Sequence, residues 1–423
     1  MSDDETARQA VRPLDVARVF ACVALAFVVS MFYRGANGVI APELMAELSI
    51  DPSTMGFVTG IYFLFFAAAQ IPVGMALDRF GPRLVIASLS LVAVAGALVF
   101  ATAADWRGLA VGRSLLGLGC AATLMGSIVT ISRWVPNRNL GQMVALLSAI
   151  GAMGALLSTT PLAWVVEQVG WRNTFFGLAV FTMGVAALVL TGVRDQPGGL
   201  PLASSTESLR EVLQGVRDVL RNPVLPGFVA IQLVAYPVVL TISGLWGGPY
   251  LNDVYGLDPV ARGDVLLMMM AAGAVGSLLI GYGDRRIGNR KAIIVGCALF
   301  SLVWLVGLAV FADMPLWLTA GMLVLLGSVN GYVSIIHTQV RSTFPERLAG
   351  RGLATLNTAV MLGGFALQSL TGPIIGFFRD ANGAAPVIAY QAMFGFLAVV
   401  LGLGLLFYAR KVREPSGSAS GSA

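Results

Sequence analysis

The stretch GMALDRFGPR, Gly74 to Arg83, interrupts an apolar run with one carboxylate, two arginines, a proline and two glycines. It is echoed by GYGDRRIGNRK, Gly281 to Lys291, which puts Asp284 206 residues after Asp78. Two further echoes have nearly the same separation. PNRNLG (Pro136 to Gly141) returns as PERLAG (Pro345 to Gly350) after 209 residues, and PEL (Pro42 to Leu44) returns as PYL (Pro249 to Leu251) after 207. Three echoes at almost one spacing, close to half of 423 residues, identify a duplicated unit.

The unit is a membrane one. Hydrophobic residues make up 57% of the chain and charged residues 12%, with a mean hydropathy of +0.81, whereas soluble domains carry about 25% charged residues. Apolar runs of about 20 residues suffice to cross a hydrocarbon core of roughly 30 Å as helices. Polar breaks delimit twelve spans, near 17–40, 55–77, 83–103, 107–132, 141–166, 174–193, 224–250, 263–283, 291–312, 315–340, 351–376 and 387–409. The first is too long for a signal-peptide core and is read as retained. The expected fold is an all-α integral membrane protein of 12 transmembrane helices in two pseudo-symmetric six-helix bundles, 1–193 and 223–410. A linker at 194–222 joins them and a flexible Ser/Gly tail occupies 411–423. In the linker, Leu209, Val212, Leu213, Val216, Val219 and Leu220 recur at helical spacing, with Ser204 and Glu207 in capping-box register; they predict an amphipathic helix on the membrane surface.

Lysine and arginine set the orientation. With an internal N-terminus the inner segments hold 21 basic residues and the outer loops four, Arg107, Arg172, Arg262 and Arg379. Both termini are therefore expected in the cytoplasm, the protein in an inner (plasma) membrane, and the basic pI follows from topology without nucleic acid as a partner. The two remaining basic residues, Arg34 and Arg113, lie within spans. Cys22, Cys120 and Cys297 all fall in apolar runs, so no disulfide, metal cluster or cofactor is expected. Nothing pairs a nucleophile with a base or cradles a nucleotide, so an enzyme is not expected either.

GMALDRFGPR resembles the signature between the second and third spans of the major facilitator superfamily. RSLLGLG (Arg113 to Gly119) resembles that family's fourth-span pattern, and the resemblance covers essentially the whole chain. It implies a monomeric alternating-access transporter with the substrate between the two halves. It further implies gating roles for Gly74, Asp78, Arg79 and Arg83, for Asp284 in the second copy, and for Arg133 and Arg351 as partners of Asp78. Span five departs from the proton-driven drug exporters: GAMGALLSTTP delays its proline to Pro161. RGANGVIAPEL, from Arg34, is similar to the first span of the organophosphate/phosphate antiporters and anion/cation symporters, where the arginine binds the anion. The second arginine of the phosphate antiporters has no counterpart, since Leu240 and Thr241 stand at its place.

Polar residues inside spans are the site candidates, because apolar helices carry them at a cost. Span one offers Tyr33, Arg34 and Asn37 within one helical turn, expected on one face, span four Arg113, and span seven Gln232, Tyr236 and Trp246. Span ten offers Asn330, Ser334, His337 and Arg341 in a helical stripe, and span eleven Asn357 and Gln368. Acidic residues all map to loops or span ends, so an intramembrane arginine, costing roughly 3 kcal/mol, invites an anion, which its planar fork suits. His337, the only histidine, and Glu43 are the proton-coupling candidates. The expected function is proton-coupled transport of a small organic anion anchored by Arg34. A purely structural Arg34, an exporter of amphiphiles or metal chelates such as siderophores, and a non-transporting receptor are the open alternatives.

Overall fold

A span in lipid must satisfy its own backbone, and the computed structural model does so with helices. Among the described residues (12–197, 214, 219, 221–312, 314–344, 346–379 and 385–412) there is no strand. The expected linker helix, apart from Gln214 and Val219, and the tail from 413 onward lie outside the described residues.

Eleven described helical segments are long and apolar enough to cross a membrane. One of them holds two spans. The helical run Thr160–Gly192 contains Gly170 at φ 79° and ψ 159°, a left-handed conformation that glycine adopts without a Cβ clash, so spans 5 and 6 are 137–169 and 171–192. The twelve spans expected from hydropathy are therefore present. Spans 2 and 3 are Pro52–Phe80 and Pro82–Ala101, each with proline in the first turn where its missing N–H costs nothing. Spans 8, 9, 11 and 12 are Pro259–Ile287, Arg290–Val310, Glu346–Phe377 and Val387–Lys411.

Span 5 breaks at Ser158 and Thr159, and the other four spans are interrupted as well. Span 1 runs Pro13–Gly35, breaks at Ala36 and resumes as Asn37–Glu47. Span 4 runs Trp106–Cys120 and Thr123–Trp134. Span 7 runs Leu225–Gln232 and Ala235–Thr241, widens into a π turn at Ile242–Trp246 and ends in Gly247–Tyr255. Span 10 runs Leu316–Ser328 and Tyr332–Thr343. The interruptions obey the repeat: the π turn begins 206 residues after Ala36, and the break after Ser328 lies 208 residues after that at Ala121. Discontinuous spans at matching places in two parallel repeats are where transporters build their sites.

The chain forms two compact units. The first contains Met1–Thr206, Ile242–Leu267 and Gln368–Gly376. In it span 3 packs on spans 4 and 6, and span 1 on span 5. Phe100 stacks on Phe175 with centroids 4.3 Å apart. Span 1 approaches the π turn so closely that a Cβ on Gly38 would run into the Ser243 carbonyl. The second unit contains Glu207–Thr241, Met268–Leu367 and Phe377–Ala423. There span 12 packs on span 9 and on the first helix of span 7, and the Tyr408 hydroxyl donates to Gln339 Oε1 at 2.6 Å. Large apolar side chains such as Val180, Leu278, Val303 and Trp317 remain on the exterior, as a lipid-facing surface requires.

Candidate functional site

In the first unit the polar residues of span 1 do not share one face. The Tyr33 side chain is fully buried and its hydroxyl meets Thr182 Oγ1 of span 6 at 2.9 Å. Arg34, one position on, is 9% exposed and lies over the Phe66 ring of span 2 at 5.2 Å. Asn37, beyond the break, donates from Nδ2 to Thr59 Oγ1 of span 2 at 2.9 Å. Ser30, Arg34 and Asn37 thus follow an i, i+4, i+7 stripe, while Tyr33 turns toward span 6.

Arg113 explains how the break is held. Its guanidinium is fully buried, donates from Nη1 to the Tyr33 carbonyl at 2.8 Å and from Nη2 to the Thr59 carbonyl at 3.4 Å, and lies 4.8 Å over the Tyr62 ring. A helix end leaves carbonyls without intrahelical donors, and a cation there also complements the helix dipole. Arg113 therefore ties spans 1, 2 and 4 together at the turn that presents Arg34. Tyr62 and Ser30, which sequence reasoning passed over, join this layer as fully or almost fully buried hydroxyls beside the Cys120 thiol. Each reads in the sequence as one ordinary residue of an apolar span, so no local signal marked it.

Toward the far end of span 1 the carboxylates are engaged. Glu43 forms an ion pair with Arg262, which also donates to Asn252 Oδ1 at 3.3 Å. Arg262, expected in an outer loop, is instead 1% exposed inside span 8. Glu47 accepts from the Trp171 indole at 2.6 Å and pairs with Arg172. Trp246, in the π turn of span 7, is fully buried and donates to Thr371 Oγ1 of span 11 at 2.7 Å. An apolar cleft lined by Leu25, Val28, Phe32, Pro161, Val165 and Phe181 lies between spans 1, 5 and 6 and contains none of these charges.

In the Asp78 loop, Arg83 is held by hydrogen bonds within the unit. Arg83 donates its backbone N–H to Asp195 Oδ1 and its Nε to the Leu190 carbonyl, each at 2.8 Å. Gly74 leaves only Met125 within reach of an added Cβ. Arg79 lies over Phe80, and Arg133 closes the last turn of span 4.

The second unit gathers a different set. His337 Nε2 lies 2.9 Å from Gln232 Nε2 of span 7. Ser334 and His337 share the helix Tyr332–Thr343, but Asn330 sits in the break before it, so the expected continuous stripe is interrupted. The cause is close packing: a Cβ on Gly331 would meet Ser277 of span 8. Tyr236 and Asn357 are half-buried on spans 7 and 11. Asp284 pairs with Arg290 at 3.3 Å, and Arg351 lies near the start of span 11.

A family model described as Major Facilitator Superfamily matches residues 23–368. The hexuronate transporter of Escherichia coli K12 is 22% identical over 406 residues, covering 90% of this chain and 92% of that protein. A probable sulfoacetate transporter of Cupriavidus necator is 24% identical, covering 92% of each. Among solved structures, a bacterial homologue of the human lysosomal transporter Spinster superposes with a TM-score of 0.77 at 16% identity, covering 96% of this chain and all of that one.

Proposed function

The chain belongs to the Major Facilitator Superfamily, and from that premise we propose that it is a proton-coupled secondary transporter that moves a small organic anion by alternating access, anchored by Arg34. The observation that carries this reading is a pair of buried guanidiniums, Arg34 and Arg113, in one polar layer of the first unit. Arg113 is held there by neutral groups, two carbonyls and a phenol ring. The carboxylates at the end of span 1 are committed elsewhere, Glu43 to Arg262 and Glu47 to Arg172. The buried charge of Arg113, met by carbonyls and a ring and not by a carboxylate, makes this layer electropositive and favours an anionic ligand. The hexuronate and sulfoacetate in the names of the two relatives are both organic acids, which supports the same class here.

In this reading Arg113 positions Arg34 and takes no part of the ligand itself. Tyr236, Asn330, Ser334 and Asn357 are the second unit's own candidates for substrate contact, and His337 with Gln232 carries the coupling proton. Asp78, Arg79, Arg83, Asp284, Arg133 and Arg351 gate the cycle, with both termini in the cytoplasm. The Glu43–Arg262 pair gives Glu43 a latch role alongside its place as a coupling candidate. A state open at that end must part Gly38 from Ser243 and Glu43 from Arg262.

A thermal-unfolding screen of organic anions on purified protein tests the reading, since a ligand stabilises the state it binds by an amount that grows with its concentration over Kd. Stabilisation of the wild type that disappears in Arg34→Ala supports it. Stabilisation only by neutral or cationic amphiphiles, indifferent to Arg34, replaces it with the exporter reading.

A further inference from the structure

Gln368, on span 11 in the first unit, is fully buried, yet neither its amide oxygen nor its amide nitrogen has a hydrogen-bond partner among the described residues. Buried amides left wholly unsatisfied are rare in native interiors and call for an explanation. The neighbourhood is tightly built. Span 11 meets span 2 through glycines on both sides: a Cβ on Gly56 would strike the Gln368 carbonyl, and one on Gly372 would come 2.5 Å from the Pro52 carbonyl. Three residues on from Gln368, Thr371 receives the Trp246 indole N–H. One helical turn along span 2 from Gly56, Thr59 holds Asn37 by its Nδ2, and Asn37 Oδ1 is left unsatisfied as well, with the side chain fully buried. Three unsatisfied amide atoms, two acceptors and one donor, therefore flank the Gly56 to Thr59 turn.

A carboxylate or sulfonate only accepts hydrogen bonds, so it cannot satisfy an amide oxygen. An alkyl chain satisfies neither group. A hydroxyl satisfies both, donating to one amide oxygen while accepting from an amide nitrogen. We propose that Gln368, assisted by Asn37 Oδ1, reads hydroxyl groups of the transported anion, so that the substrate is a short polyhydroxy acid and its deoxy counterpart is rejected. The proposal rests on the anion reading above. Arg34 holds the charge and Gln368 tests the chain attached to it, reaching the ligand when the glycine seam between spans 2 and 11 parts. A site built to hydrogen-bond a hydroxyl discriminates strongly against the analogue lacking it, because its own polar groups are otherwise left unpaired.

The test titrates the thermal unfolding of purified full-length protein with two matched pairs, galactarate against adipate and L-tartrate against succinate. The members of each pair share carbon skeleton and charge and differ in hydroxyls. At least one hydroxylated acid is expected to bind the wild type tenfold or more tightly than its partner. Gln368→Leu is expected to shrink that ratio below about threefold and leave the deoxy acid's affinity unchanged, since the amide's hydrogen bonds are what it deletes. Without ligand, Gln368→Leu is expected to unfold at the wild-type temperature or above, because leucine fills the space with no unsatisfied amide; a purely structural glutamine would lower it. If the leucine variant fails to fold, Gln368→Met serves in the same comparison.

An unchanged ratio in a folded variant, or no preference in the wild type, overturns the hydroxyl role. If Arg34→Ala at the same time abolishes binding of both members of a pair, the anion reading stands alone. Binding of none of the four acids to the wild type overturns both.

Discussion

Glu43 and Arg262, 219 residues apart, form an ion pair in which the arginine side chain is 2% exposed and the carboxylate 28%. The pair joins the second helix of span 1 to span 8. Removing one member of such a pair leaves a buried charge uncompensated and costs about 3–5 kcal/mol, with the lower end expected here because Glu43 keeps some contact with water. Glu43→Ala should therefore destabilise the purified protein clearly more than the double variant Glu43→Leu/Arg262→Met, which buries no charge. Chemical or thermal unfolding of the three proteins checks the order, and equal stability of single and double variants would refute it.

Arg113 reaches two carbonyls from one planar fork. Arg113→Lys keeps the charge but offers a single ammonium on a flexible stem, so it cannot hold both. Losing a buried hydrogen bond to a charged group costs about 1.5–3 kcal/mol. The variant should be destabilised by about that amount and should raise the substrate Kd by loosening the turn that presents Arg34. Measured by unfolding and by anion titration, a lysine variant as stable and as avid as wild type would show that Arg113 does not brace the break.

Gly38 is the point where span 1 meets the backbone of span 7. Gly38→Val forces a side chain onto the Ser243 carbonyl, and overpacking of this kind costs typically about 1–3 kcal/mol or displaces the helices. Transport should fall sharply. Gly177→Ala, where an added Cβ meets nothing within 4 Å, should leave transport unchanged. Uptake into proteoliposomes distinguishes the two, and similar losses in both would contradict the packing argument.

Asp51 caps span 2 from outside it, accepting from the Ser53 and Thr54 N–H groups at 2.9 and 3.1 Å and from the Thr54 hydroxyl at 2.6 Å. Partial burial alone would raise its pKa, but the bonds from Thr54 and Ser53 outweigh it and hold the carboxyl below its ordinary value. A depressed native pKa means that the stabilisation is present above the unfolded carboxylate pKa of about 3.9 and is lost as pH falls through the lower native value. Asp51→Ala should cost about 1 kcal/mol at neutral pH, as for an N-cap. The gap to wild type should narrow as the pH drops below 4. A gap independent of pH would show that the charge of Asp51 contributes nothing.

The sequence made the spans and their duplication legible because both are written in hydropathy and in repeated loop motifs, as Asp78 and Asp284 show. It made Arg34 legible for the same reason, since a cation in an apolar run is conspicuous. The breaks within spans 4 and 10 were not legible, because they arise from contacts between helices, such as Gly331 against Ser277, that no local pattern encodes. Arg262 read as a loop residue at the edge of a span. Only the fold brings Glu43 to it and buries it. Tyr33 illustrates the limit of spacing arguments: it shares a turn with Arg34 and Asn37, but its hydroxyl partner on span 6 turns it aside.

The central claim is that Arg34 anchors an organic anion during transport. Its most direct test is counterflow of a radiolabelled acid, chosen from those that stabilise the wild type, in proteoliposomes holding wild type, Arg34→Lys or Arg34→Ala at equal amounts. Robust exchange is expected for the wild type, partial exchange for lysine, which keeps the charge without the fork, and a loss of at least a hundredfold for alanine with the protein still folded. Undiminished exchange by Arg34→Ala would contradict it.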